Sequence, residues 1–96
     1  MNLPTKEISL QYFDDYVVPR NIYKHCLAVR EVANFLAKEL SEAGIEINLE
    51  LIDRVALLHD LFKVVTFENL EPNKYHKYQF NEQEISMWKK LREKYA

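Results

Sequence analysis

Val55-Ala56-Leu57-Leu58-His59-Asp60-Leu61-Phe62 decides how this chain is read, because it sets a polar pair, His59-Asp60, inside an otherwise apolar run. A carboxylate taken out of water without a partner costs several kcal/mol, so Asp60 is expected to be paired, hydrogen-bonded or bound to a metal. His25 lies upstream within a second apolar pattern. Both patterns have helical spacing, and together they place three candidate ligands, His25, His59 and Asp60, facing the interior.

Working outward, Ile52, Val55, Ala56 and His59 share one face of a helix that begins at Asn48, a residue type whose side-chain oxygen caps helices. Upstream, Ile22, Cys26, Val29, Val32, Ala33, Leu36, Ala37 and Leu40 recur at three- and four-residue steps between Asn21, read as an N-cap, and Gly44, read as the stop. His25 falls on the stripe of Val29, Val32 and Leu36, so the spacing points it inward. A first, short helix is expected from Thr5 to Val18, closed by Pro19, which cannot continue a helix interior. Val64-Val65-Thr66-Phe67 has strand-like residues but no second strand to pair with, and reads as the frayed end of the third helix or an extended loop. Residues 68–80, with Pro72, Asn73 and several aromatics, read as an ordered loop or a single helical turn. Asn81 and Glu84 make a capping-box pattern for a fourth helix with Ile85, Trp88, Leu91 and Tyr95 on one face. The expected fold is an all-α, compact helical bundle, in a single domain over residues 1–96 with no repeat or linker.

Composition agrees: 96 residues, 48% of them hydrophobic, suffice for one modest core, and 29% charged with a single Gly argues against disorder. A net charge of -2 gives no global attraction to nucleic acid or anionic membrane. Cys26 is the single cysteine, which precludes an internal disulfide and fits a reducing compartment, so a cytoplasmic location is expected. The N-terminus lacks the apolar core of a signal peptide, and no apolar run approaches the roughly 18 residues of a membrane span, so no membrane partner is expected.

Imidazole nitrogen and carboxylate oxygen suit borderline or harder divalent cations, and these ligand types do not choose among Zn, Fe, Mn, Ni and Mg. Neighbours on a helix are about 100° apart, so His59 and Asp60 reach one ion only if it lies between their directions, in a groove that His25 on a facing helix would close. By spacing alone, a histidine on an apolar face is more often a hydrogen-bonded core residue than a ligand.

In their order, however, these residues resemble the HD superfamily of metal-dependent phosphohydrolases, all-helical enzymes with a first His, then a His-Asp doublet, then a distant Asp. His25 in Val18-Pro19-Arg20-Asn21-Ile22-Tyr23-Lys24-His25 is similar to the family's first ligand, and Ala56-Leu57-Leu58-His59-Asp60-Leu61-Phe62-Lys63 to its doublet segment. Lys63 matches the lysine commonly found three residues after the doublet's aspartate, and the resemblance covers most of residues 5–65. Phe62 stands where many members carry Gly, which would reshape the pocket wall. No Asp follows Asp60, so the chain looks like the amino-terminal part of a longer HD domain. The resemblance implies an HD-like bundle, a divalent metal held by His25, His59 and Asp60, and hydrolysis of a small phosphate ester, a nucleotide by family habit. Within it, Asp60 would also orient the attacking water or take its proton, and Lys63 would neutralise charge on the phosphate. A solvated helix-end cation is the competing reading of Lys63.

The alternative function is a non-catalytic HD-like binding module or an inactive fragment. It would contact single-stranded nucleic acid through Lys74-Tyr75-His76-Lys77-Tyr78-Gln79-Phe80, where basic and aromatic side chains interleave. The residues favour instead Tyr75, Tyr78 and Phe80 pinning a loop onto the core while the lysines and His76 stay in solvent. Cys26 and His25 do not form a thiol-imidazole pair, because i and i+1 on a helix do not face each other, and Asp14-Asp15 reads as a wet helix end. If further helices are missing, the apolar faces of the second and fourth helices are left open, so the chain is expected to be a homo-oligomer.

Overall fold

The computed structural model describes residues 3–72 and 77–95. Among them four α-helices follow in order, α1 (Lys6–Asp15), α2 (Arg20–Glu42), α3 (Leu49–Leu58) and α4 (Glu82–Tyr95), with a 3₁₀ turn at Lys63–Thr66 and no strand. The all-α expectation holds. Val64, Val65 and Thr66 form that tight turn rather than a frayed end of α3 or an extended loop, and the described residues of 68–80 contain no helical turn.

Helix starts follow local chemistry. Thr5 Oγ1 accepts from Ile8 N at 3.1 Å and Asn48 Oδ1 from Leu51 N at 3.1 Å, each satisfying one of the donors a helix leaves unpaired. At α4 the capping box closes both ways, Asn81 N to Glu84 Oε1 at 2.9 Å and Glu84 N to Asn81 Oδ1 at 2.8 Å. The α2 helix departs from expectation: Pro19 is its N-cap and Asn21 lies inside the first turn. Its cap comes from elsewhere in the chain, since Arg20 N donates to Tyr78 Oη at 3.1 Å and Glu84 Oε2 at 3.3 Å.

Helix α2 ends as its sequence predicts, with Gly44 at φ 93° and Schellman bonds from Gly44 N to Ser41 O and Ile45 N to Leu40 O. The α1 terminus uses the same pair of bonds, Val17 N to Asp14 O and Val18 N to Phe13 O, and so stops before Pro19 is reached. There the left-handed position falls to Val17, φ 46°, a β-branched residue that strains in this region.

Helices α2 and α3 form the principal packed pair, α1 lies on α3, and α4 lies on the 3₁₀ turn. Phe13, Ile22, Cys26, Leu57, Val64 and Leu91 make the buried cluster. Trp88 Nε1 donates to Phe67 O at 3.2 Å and Arg92 to Val65 O at 3.1 Å, tying α4 to the segment after the doublet. The α4 face holds in its middle, with Leu91 buried and Ile85 and Trp88 half-buried, but Tyr95 is exposed.

The inward stripe read on α2 is corrected by the structure. Ile22, Cys26 and Ala37 are buried, whereas Val32 and Leu36 are 60% and 54% exposed. The physical reason is polar: the α3-facing side carries Arg30 and Asn34, which both bond to Asp53 of α3, and pairing that buried carboxylate turns Val32 and Leu36 outward. Likewise on α3, Val55 is exposed and Asp53, Ala56 and Leu57 are buried.

Candidate metal centre

The last helical residue of α3 is Leu58, so the doublet sits at the helix end, with His59 as C-cap and Asp60 in the turn that follows. Backbone bonds from Leu61 N to Leu58 O at 3.1 Å and Lys63 N to Asp60 O at 3.0 Å fold the chain tightly round Asp60. This corrects the expectation that the three candidates face the interior. The side chains of His25, His59 and Asp60 are 54%, 34% and 25% exposed, so the group lies at the surface, within reach of solvent.

Distance supports the grouping itself. Asp60 Oδ2 lies 3.1 Å from His25 Nε2 and 3.1 Å from His59 Nε2, the two rings are 5.6 Å apart, and one donor atom from each residue falls within 4.8 Å of the others. Donor atoms held about 2.1 Å from one cation at right or tetrahedral angles stand roughly 3.0 to 3.4 Å apart, so the observed spacing fits a shared ion.

Proton bookkeeping supports the same reading. His59 Nδ1 lies 2.7 Å from Ala56 O, a group that only accepts, so Nδ1 carries a proton. Its Nε2 faces the Asp60 carboxylate, a contact that a second ring proton or a shared cation makes favourable. One divalent ion there would serve both imidazoles, and a backbone carbonyl holding the far nitrogen is the usual outer support of a ligating histidine.

The surroundings are chemically plain. Lys63 opens the 3₁₀ turn with its side chain exposed, three residues past Asp60. Cys26 is fully buried behind the site, and burial, first of the causes, pushes its thiol up, with a hydrogen bond from the Asp60 backbone acting the other way. Phe62 meets Tyr16 edge-on at 4.9 Å and stacks on Tyr95 at 6.0 Å. Of residues 74–80, Lys74, Tyr75 and His76 lie outside the described residues. Tyr78 and Phe80 are anchored, Tyr78 Oη donating to Glu84 Oε2 at 2.7 Å and Phe80 packing on the core, while Lys77 is exposed.

The group that sequence reasoning missed is Asp53. It accepts from Arg30 Nε at 2.6 Å, from Asn34 Nδ2 at 2.7 Å and from Arg54. Burial raises its pKa, and the Arg30 and Asn34 hydrogen bonds, the Arg30 charge and the Arg54 bond together outweigh that, holding it at about 2. The available signal was a carboxylate amid Leu51, Ile52, Val55 and Ala56, with Arg30 and Asn34 one turn apart on the neighbouring helix. Asp53 locks α2 to α3 and thereby sets His25 opposite the doublet.

No curated protein and no solved structure matches this chain. A family model, HD domain, matches residues 22–94, which takes in α2, the doublet and α4. With its first histidine, its His-Asp doublet and three quarters of its length inside that match, the chain belongs to the HD domain family.

Proposed function

We propose that this protein is a metal-dependent phosphohydrolase that uses His25, His59 and Asp60 to hold a divalent cation and acts on a small phosphate ester, a nucleotide foremost. The observation that carries the proposal is the convergence of two Nε2 atoms on one carboxylate oxygen at 3.1 Å, with the far side of His59 fixed by Ala56 O. Three partly exposed protein donors would leave coordination positions for water and substrate, the pattern of catalytic rather than structural sites. When bound, the ion lowers the pKa of water and polarises a phosphoryl oxygen.

The chain's own residues do the rest. Asp60 turns Oδ2 to both imidazoles, which leaves Oδ1 to orient the attacking water and take its proton. Lys63 follows in a turn closed on the Asp60 carbonyl, and its ammonium compensates charge that develops on the phosphate oxygens. Family membership supports hydrolase chemistry in general; the nucleotide preference and the role of Lys63 are this proposal's own.

Metal titration calorimetry with Mn²⁺ and Zn²⁺ on the wild type and on His25→Ala, His59→Ala and Asp60→Ala tests the site. A panel of nucleoside monophosphates and an aryl phosphate tests the chemistry. Each substitution should abolish tight metal binding without loss of helical content, because all three side chains are partly exposed. Unchanged metal binding in all three variants refutes the site. Metal binding without phosphate release from any ester favours the non-catalytic module.

A further inference from the structure

Helix α2 carries an apolar face that no other described segment covers. Val32, Phe35, Leu36 and Leu40 are 60%, 63%, 54% and 45% exposed, and Ala28, Val29, Val32, Ala33 and Leu36 line one continuous shallow groove. Single exposed leucines need no explanation, but a contiguous stripe of this kind marks a contact surface. At about 100° per residue, Ala28, Val29, Phe35 and Leu36 all lie within roughly 60° of Val32, and Lys24 and Glu42 both lie on one flank of that stripe.

Charge along the helix says what fits there. Arg20 and Lys24 stand at its start, and Glu39 and Glu42 at its end beside a single Lys38, with Glu46 just beyond. A copy of the same helix laid parallel would set like charges against like. Laid antiparallel, about a two-fold axis between Val32 and Ala33, it sets Val29 against Leu36 and brings Lys24 within one residue of the level of Glu42 of the second copy, and it opposes the helix dipoles favourably. Ala28 and Ala33 are small enough to let the two helices approach to the usual packing distance of about 8–10 Å.

We infer that the exposed face of α2 is a homodimer interface, in which two copies of this chain pair their α2 helices antiparallel through Val32 and Leu36, with reciprocal Lys24–Glu42 contacts on the flank. His25 lies on the same stripe, two turns before Val32, so the inference is tested on the metal-free chain and does not rest on the metal reading.

Sedimentation of the full chain between about 1 and 200 μM tests it, a range suited to an interface smaller than standard size. The expected result is a concentration-dependent monomer–dimer equilibrium. Val32→Glu should give a monomer with unchanged helical ellipticity, its side chain being exposed. Lys24→Glu should weaken the dimer about tenfold through two like-charge contacts, and Lys24→Glu with Glu42→Lys should restore it. A monomer throughout the range, a dimer that persists in Val32→Glu, or a charge-swapped double variant no tighter than the single one would each overturn the inference.

Discussion

Replacing Asp53 by Asn keeps its shape and removes its charge, leaving Arg30 and Arg54 without their counter-ion. The carboxyl is held at about 2 against an ordinary 3.8, and at about 1.36 kcal/mol per pH unit this stabilises the ionised folded protein by roughly 2 kcal/mol. With the Asp53 side chain only 11% exposed, solvent screening takes little from that figure. Because the folded value lies below the unfolded one, the contribution is complete above about pH 5 and disappears as pH falls towards about 2. Urea unfolding followed by far-UV ellipticity should therefore show Asp53→Asn about 2 kcal/mol less stable than wild type near neutrality. The gap should narrow steadily below about pH 4, as the wild-type carboxyl becomes neutral like its replacement. A gap under about 0.5 kcal/mol near neutrality, or one that does not change between about pH 5 and 3, would refute the reasoning, since either outcome means the arginines lose nothing when the carboxylate goes.

Two further substitutions probe the frame around the site. Val17→Gly relieves a β-branched residue at φ 46° and should raise stability by about 0.5 to 1 kcal/mol, read as a higher urea midpoint at constant slope. Glu84→Ala strips the acceptor shared by Tyr78 Oη, Asn81 N and Arg20 N. It should cost about 2 kcal/mol, with Glu84→Gln less damaging because one acceptor remains; both are measurable by the same unfolding curves.

The sequence made the helix boundaries legible where residues adjacent in the chain do the capping, as with the side chains of Asn48 and the Asn81–Glu84 box and the positive-φ backbone of Gly44. It misled where the partner was remote. Asn21 looks like a cap, but Tyr78 and Glu84, some sixty residues away, occupy the α2 start. That His25, His59 and Asp60 come together was legible from residue type and order, because few arrangements of two histidines and an aspartate recur in this order. The orientation of α2 was not, because it is apolar on both sides. Ile22 and Cys26 compete with Val29, Val32 and Leu36 for the core, and the contest is settled by Arg30 and Asn34 reaching a carboxylate on another helix. An aspartate that takes basic partners into the interior inverts the usual rule that polar residues mark the outside face.

The Arg30–Asp53 bond lies to the same side of the candidate ligands on both helices, five residues after His25 on α2 and seven before Asp60 beyond α3. Sliding one helix past the other by a single turn, about 5.4 Å, would break this bond and separate the ligands at once. Alignment is thus keyed by side chains, and the connection from Ala43 to Asn48 need only join the ends. That makes the Gly44 turn a natural place to open the chain: two separately produced pieces, one ending there and one starting beyond it, would recognise each other through the key and reassemble the centre, turning ion capture into a signal of fragment reunion.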